Sequence, residues 1–269
     1  MRTYSLAYLT ANASTVPQAI GIAAQLGYAH VGLRLQPNAP GAPYQSLIDD
    51  AVVRREAKAA LRDTGVGVFD LEIVRIGPGF QLEAHRPLME IGQELGAKAV
   101  LVAADDPDER RLADNFARLC DAMRNHGLTA DLEFMPWTAV KDAASAMRVM
   151  ERAGQPANAG VLVDALHFGR SSTSLADIAA IPRAWLHYAQ MCDAIAGLHF
   201  SEEELIHTAR EARLLPGEGN IDLQGLFATL PPDLPVSIEI VNLARSRPIG
   251  DLAWARQALD ATRRLFGEI

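Results

Sequence analysis

The amino-acid sequence predicts an α/β protein, a single (β/α)8 barrel over residues 1–269, on three observations. The chain has 269 residues, close to the length of about 250 that is typical of one such barrel. Short apolar runs alternate with longer helical patterns along the whole chain, which favours a parallel sheet covered by helices. No linker, low-complexity segment or shift in composition divides the chain, so a single domain is expected.

Eight apolar runs are the predicted strands. In chain order they are Tyr4–Tyr8, His30–Leu33, Val66–Ile73, Lys98–Ala103, Leu128–Phe134, Gly160–Asp164, Leu186–Met191 and Val236–Ile240. Eight strand–helix units in this length favour closure into a barrel over the alternative, an open doubly wound sheet. No GxGxxG motif follows the first strand, so nothing supports dinucleotide binding.

A helical pattern follows each predicted strand. The first helix is expected to begin after Thr15, with Pro17 in its first turn, and to end near Gly27. The others are Leu47–Arg62, Pro87–Leu95, Glu109–Asn125, Ala139–Arg152, Leu175–Ile181, Leu223–Leu230 and Leu252–Phe266. The longest predicted irregular segment, 193–220, is expected to be a loop that covers the functional site, because long loops in compact domains are usually functional or disordered.

Composition limits the classes of partner. The net charge is −8 and the basic residues are scattered, which excludes the basic stripe that nucleic-acid binding needs. No apolar run approaches the roughly 18 residues of a membrane span, and the segment after Met1 lacks the pattern of a signal peptide. Cys120 and Cys192 form no CxxC motif and cannot be a disulfide framework. We therefore expect a cytoplasmic protein with a small-molecule substrate and neither nucleic acid nor membrane as partner.

Four successive predicted strands each bring one oxygen-bearing side chain to the same end of the barrel. These side chains are Glu133, Asp164, Gln190 and Glu239, near the ends of strands five to eight. Active sites of α/β barrels lie at this carboxyl-terminal end. Buried carboxylates are costly unless they are paired or bind a metal, and converging carboxylates repel one another. The pattern therefore indicates a divalent metal ion held by these four residues, against the alternative of helix caps and salt bridges.

Two motifs carry a resemblance to a known family. The run Asp164 to His167, Asp-Ala-Leu-His, looks like the Asp-x-x-His of xylose isomerase-like TIM barrels, the sugar phosphate isomerase and epimerase superfamily. The run Arg213 to Gly219, Arg-Leu-Leu-Pro-Gly-Glu-Gly, resembles the loop of the same family, and Glu133 and Glu239 stand at its matching strands. The resemblance covers essentially the whole chain and implies the same four metal ligands.

The strand-seven ligand departs from the family pattern. In many members of the family the ligand at this position is His, whereas this chain has Gln190. An amide oxygen can coordinate a metal, and the resulting all-oxygen set suits Mg²⁺ or Mn²⁺ better than Zn²⁺, with Co²⁺ also possible. His187 is the rival ligand, but strand alternation places it on the opposite face from Gln190.

The resemblance implies that His167 and Arg213 contact the substrate. The alternative for His167 is a structural histidine bonded to the backbone, and the alternative for Arg213 is a solvated loop arginine. Further candidate substrate-binding residues follow the predicted strands two, three and five: Arg34, Glu72, Arg75 and Trp137. Arg34 and Arg75 together would suit an anionic substrate, unless Glu72 forms a salt bridge with either of them.

The resemblance implies the activity of a metal-dependent isomerase or epimerase of a small sugar, keto-polyol or related hydroxy-carbonyl compound, acting through a metal-stabilised enediolate. Glu133 and Glu239 are the predicted catalytic base and acid. Loss of a β-hydroxyl from the same intermediate would give a dehydratase of the 3-dehydroshikimate dehydratase type, the first alternative. A non-catalytic metal- or sugar-binding barrel is the second. An endonuclease-IV-like barrel, which uses several histidines to bind three zinc ions, is disfavoured because few of the seven histidines fall at predicted strand ends and the net charge is acidic. Barrels of this kind are often dimers or tetramers, so the expected oligomer is a homodimer or homotetramer.

Overall fold

A computed structural model describes residues 2–38 and 41–269. Eight parallel strands pair in sequence order, and β8 pairs with β1, so that the sheet closes into a barrel. The strands are β1 (Tyr4–Leu6), β2 (His30–Arg34), β3 (Gly67–Ile76), β4 (Ala99–Ala104), β5 (Thr129–Glu133), β6 (Ala159–Asp164), β7 (Ala189–Met191) and β8 (Val236–Ile238). The predicted (β/α)8 barrel is confirmed.

Eleven α-helices occur in the described parts of the chain. They are α1 (Val16–Leu26), α2 (Ala51–Thr64), α3 (Arg86–Leu95), α4 (Glu109–Arg124), α5 (Ala143–Arg152), α6 (Ala165–Gly169), α7 (Leu175–Ala179), α8 (Glu202–Glu211), α9 (Leu223–Thr229), α10 (Leu243–Ile249) and α11 (Asp251–Leu265). No described helix has the length and apolarity that crossing a bilayer requires.

Local sequence signals explain where the helices begin and end. Thr15 and Gln18 form a capping box at the start of α1, and Gly27 ends the helix in the left-handed conformation with φ +82°. Asp50 and Asp108 cap α2 and α4 by accepting backbone N–H groups of the first turn.

Alternation along the strands divides the side chains between two environments. Outward-facing residues such as Val100, Val161 and Val163 belong to the large core beneath the helices. A smaller cluster contains Leu101 and Leu162, which are in register with the inward-facing acids Asp131 and Glu133. Glu133 and Asp164 are the last residues of their strands, so the barrel presents these two carboxylates at its carboxyl-terminal rim, whereas Asp131 lies two residues earlier on β5.

Several predicted boundaries were wrong. The segment 193–220 is not irregular throughout, because it contains α8 with a Ser201–Glu204 capping box. Strand seven was predicted to begin at Leu186, but the residues before Ala189 form a short 3-10 helix and its exit. The third strand continues to Ile76, three residues beyond the predicted end.

Candidate metal centre and active site

The four predicted metal ligands lie at the carboxyl-terminal ends of adjacent strands. Glu133 and Asp164 are the last residues of β5 and β6, Gln190 is central in β7, and Glu239 immediately follows β8. All four are buried, with at most 3% of their surface exposed. Asp164 and Gln190 are neighbours in the strand register. The ligand atoms of Glu133, Asp164 and His167 lie within 4.8 Å of one another.

Arg213 lies among these carboxylates. Its Nη1 donates to Asp164 Oδ2 at 2.7 Å, and its Nη2 lies 2.7 Å from Glu239 Oε2. The side chain is only 3% exposed. This burial rules out a solvated loop arginine, the alternative that the sequence left open. Arg213 thus neutralises part of the negative charge and fixes the orientation of two of the four residues.

The charges of the cluster shift its pKa values in different directions. Burial, together with the negative charges of Asp164 and Glu239, raises the pKa of Glu133 well above its ordinary value. Burial also raises the pKa of Glu239, although the Arg213 charge opposes that shift. For Asp164 burial acts in the same direction, but Arg213 and hydrogen bonds outweigh it and lower the pKa. Without a cation, the site therefore disfavours ionisation of all three acids together.

The residues present fit a divalent cation. Neither amide atom of Gln190, nor Oε1 of Glu133, has a hydrogen-bond partner among the described residues. Leaving a buried polar atom unpaired costs about 1–3 kcal/mol. A hard cation that prefers oxygen ligands would bind these unpaired oxygens and would stabilise the ionised form of Glu133, whose pKa is raised.

His167 lies within the carboxylate cluster itself, beside Glu133 and Asp164. Its Nε2 lies 3.5 Å from Glu133 Oε1, and its ring meets the Trp137 ring edge-on at 5.0 Å between centroids. Burial lowers the pKa of His167 to about 4, so that the imidazole is neutral. A neutral imidazole can accept a proton or offer nitrogen to a metal. Its predicted role in substrate binding remains a prediction.

His187 is not a rival ligand in this arrangement. The predicted reason, alternation with Gln190 along the strand, was wrong because His187 precedes β7; instead its Nδ1 lies 2.7 Å from Asp131 Oδ1. Asp131 lies two residues before Glu133 on β5, toward the amino-terminal end of the barrel.

The remaining predicted site residues surround a small cavity of about 50 Å³ at the barrel mouth. Its lining includes Arg34, Glu72, Arg75, Glu133, Trp137, His167, Arg210, Arg213 and Glu239. Asp164 and Gln190 are not part of the lining and are fully buried. An adjoining cavity of about 760 Å³ shares Arg34 and Arg210 with it.

The arginines at the mouth differ in their partners. Arg34 pairs with Glu72 at 2.7 Å, as one of the sequence alternatives proposed, and Arg75 pairs with Asp105 at 2.6 Å. Arg210, on α8, has no carboxylate within ion-pair distance in the described part of the chain. Partial burial and the charges of Arg75 and Arg34 lower its pKa, and all three arginines line the same cavity.

Sequence reasoning missed Arg210 as a site residue. It recognised Arg213 but treated the surrounding segment as a loop. The signal was the capping box Ser201–Glu204, which predicts a helix. In the structure Arg210 lies near the end of this helix, which stops before Arg213, and both arginines line the same cavity.

Comparisons with known proteins agree with this architecture. The family model described as xylose isomerase-like TIM barrel matches residues 20–265. A 3-dehydroshikimate dehydratase of Pseudomonas aeruginosa is 30% identical over 173 residues, which are 61% of this chain and 26% of that protein. The chain spans about a quarter of the length of the curated relatives it matches.

Two solved structures have the same fold over nearly the whole chain. The IolI protein, crystallised with a zinc atom, has a TM-score of 0.81 at 16% identity and covers 100% of this chain and 99% of its own. A D-allulose 3-epimerase from Methylomonas sp. has a TM-score of 0.70 at 15% identity, with 98% of both chains covered. Since the family model matches far more than half of the residues, the chain belongs to the xylose isomerase-like TIM barrel family.

Proposed function

We propose that this chain is a divalent-metal-dependent lyase that dehydrates a small hydroxy-keto acid of the 3-dehydroshikimate class. The observation that carries the proposal is the charge pattern of the small cavity. Glu133 and Glu239 line the cavity, the fully buried Asp164 and Gln190 lie on the neighbouring strands outside its lining, and the unpaired Arg210 lies at its edge. The matched part of the Pseudomonas aeruginosa dehydratase supports the same reaction class.

The metal would be held by Glu133, Asp164, Gln190 and Glu239, with His167 close enough to Glu133 to join them. The oxygen-rich set favours Mn²⁺ or Mg²⁺. A divalent ion bound there would polarise the substrate carbonyl and make the adjacent C–H bond more acidic. The IolI protein, which has the same fold and was crystallised with a zinc atom, supports the proposal that this chain binds a metal.

Arg210 would bind the substrate carboxylate. Arg34 and Arg75 already have carboxylate partners, whereas the Arg210 guanidinium is free to form a charged, two-pronged hydrogen bond. Arg34 and Arg75 would add long-range attraction for an anion. Trp137, edge-on to His167, would provide an apolar wall beside the carbon skeleton.

Proton transfer is assigned to the acids that reach the cavity. Glu133 would take the proton beside the carbonyl as that C–H bond breaks. The neighbouring C–O bond then breaks, a carbon–carbon double bond forms, and the departing hydroxyl takes up a proton from Glu239 and leaves as water. The product is conjugated and absorbs ultraviolet light.

One incubation tests the proposal. The purified protein is loaded with Mn²⁺ and mixed with 3-dehydroshikimate in deuterium oxide. We expect a new ultraviolet-absorbing product, and Glu133→Gln protein should not form it. A protein that binds Mn²⁺ but leaves 3-dehydroshikimate unchanged would contradict the proposed reaction.

A second measurement tests the carboxylate contact. Losing a hydrogen bond between charged groups costs about 1.5–3 kcal/mol, so Arg210→Ala should raise KM by roughly 10- to 100-fold. Arg256→Ala, an exposed arginine on α11, is the matched control and should leave KM unchanged. An unchanged KM for Arg210→Ala would remove this arginine from the site.

Isomerisation or epimerisation is the second candidate, because Glu133 and Glu239 both line the same cavity and could serve two faces of one carbon. The same incubation, repeated with candidate ketoses, separates it from dehydration. Uptake of solvent deuterium without loss of water supports the isomerase or epimerase. A protein that neither binds Mn²⁺ nor changes any substrate would instead be a non-catalytic barrel.

A further inference from the structure

The Asp193 carboxylate is buried two residues beyond β7 and has no role in the proposed reaction. It is 2% exposed and faces four backbone N–H groups rather than a cationic side chain. Its Oδ1 accepts from Ala194 N at 2.8 Å and from Ile221 N at 3.3 Å. Its Oδ2 accepts from Gly217 N at 2.9 Å and from Gly219 N at 3.0 Å. The segment 214–221 therefore wraps around this one carboxylate.

The wrapping depends on close approach of the backbone. A Cβ on Gly219 would lie 2.3 Å from Asp193 Oδ1 and 2.2 Å from Ala194 O, so only glycine fits there. The backbones of Asp193 and Leu214 also exchange two hydrogen bonds, at 2.9 and 2.8 Å. Asp193 is thereby joined to the segment at both of its ends.

Arg213 immediately precedes the anchored segment. Its N donates to Val241 O at 2.8 Å, and its O accepts from Asn242 Nδ2 at 2.9 Å. The Arg213 backbone is thus fixed between the chain beyond β8 on one side and the Asp193-anchored segment on the other. From that position its guanidinium reaches both Asp164 and Glu239.

We propose that Asp193 is a positioning residue, which holds Arg213 in place and through it orients the Asp164 and Glu239 carboxylates for metal binding. The inference rests on the proposed metal site. One short run of chain supplies the Gln190 amide, the Cys192 sulfur that lies 3.5 Å from Arg213 Nη1, and the Asp193 anchor. Any movement of Arg213 therefore changes the surroundings of Cys192.

Two variants disturb the anchor from opposite sides. Asp193→Asn keeps the shape but replaces one acceptor oxygen by an NH₂ group that faces N–H donors. Gly219→Ala inserts a methyl group against the same carboxylate. Asp222→Asn is the matched control, because exposed Asp222 also accepts a backbone N–H, from Gly225, but only caps α9.

The first readout is independent of metal. Cys192 and Cys120 are both buried, and in the wild-type protein neither should react with a thiol reagent. In both anchor variants we expect Cys192 to become reactive, as identified by peptide mass spectrometry, while Cys120 stays protected. In Asp222→Asn both should stay protected. If Cys192 remains protected in Asp193→Asn and Gly219→Ala, the proposed hold on Arg213 is refuted.

The second readout is the Mn²⁺ dissociation constant from calorimetric titration. Residues that orient metal ligands typically change metal affinity by 10- to 100-fold, so Asp193→Asn should raise the constant by about 10-fold or more. Exposure of Cys192 with unchanged Mn²⁺ affinity would make Asp193 a purely structural anchor and overturn the proposal. Failure of the wild-type protein to bind Mn²⁺ would refute the metal site itself, and with it the positioning role.

Discussion

Two acid–histidine pairs, whose acids lie on the same strand, show how different the two ends of this barrel are. Asp131 and Glu133 lie two residues apart on β5 and face the same way. Asp131 lies 2.7 Å from His187 Nδ1 and also accepts from Thr129 Oγ1, so its carboxylate is fully satisfied. Glu133 lies 3.5 Å from His167 Nε2, and its Oε1 has no hydrogen-bond partner among the described residues.

The environments affect the two histidines in opposite directions. Burial alone would lower the pKa of His187, but its hydrogen bond and attraction to Asp131 outweigh this and raise it. Burial lowers the pKa of His167 to about 4. The Asp131–His187 pair at the amino-terminal end therefore favours the charged form of the imidazole. The pair at the carboxyl-terminal end leaves binding capacity free for a ligand, which is the distribution expected of an α/β-barrel enzyme.

The largest expected difference between the pairs is in catalysis. General acid–base groups typically contribute 10²- to 10⁴-fold, so Glu133→Gln should lower kcat for the dehydration by about that factor. Asp131→Asn should change kcat less than about threefold, since its partner is His187 at the other end of the barrel. Steady-state kinetics with saturating Mn²⁺ compares the two variants. Equal losses in both would remove the functional distinction between the ends.

Arg213 tests whether the carboxyl-terminal end is stabilised by its own ion pairs. Removing one partner of a buried pair typically costs about 3–5 kcal/mol, because the remaining charge is left uncompensated. Arg213→Leu leaves Asp164 and Glu239 without their guanidinium, and we expect metal-free protein to lose stability of that order. Urea unfolding with and without Mn²⁺ measures it. Added Mn²⁺ should recover part of the loss, and a variant as stable as the wild type contradicts the assignment.

Asp131 should show the reverse balance, with an effect on stability and none on metal binding. Asp131→Asn weakens one charged hydrogen bond to a partly exposed histidine, at a cost of about 1–3 kcal/mol. Its Mn²⁺ affinity should equal that of the wild-type protein. Urea unfolding and calorimetric titration of the same preparation give both quantities. Weaker Mn²⁺ binding in this variant would show that the two ends are coupled.

The sequence predicted the barrel and the place of its acids because both depend on short-range patterns. Apolar runs separated by helical patterns defined the strands, and the acids at their ends followed from position alone, as Glu133 and Asp164 do. The pairing of Arg213 with Asp164 and Glu239 depends on a backbone path across the barrel mouth, which no local pattern contains. The same holds for Asp131 and His187, which are 56 residues apart in the chain.

Stability against pH offers the smallest effect and the most direct comparison of the two histidines. The folded pKa of His187 is raised above the ordinary value of 6.5, so its contribution is fully present below that pH and is lost as pH rises through the folded pKa. His167 and His30 have lowered folded pKa values, so they reduce stability only as pH falls below 6.5. The free-energy difference between wild-type protein and His187→Gln should therefore be largest near about pH 6 and shrink toward about pH 9. Urea unfolding across this range measures it, with the histidine titrations followed by NMR. A difference that stays constant, or grows with pH, would mean that His187 is neutral in the folded protein and that its bond to Asp131 is no ion pair.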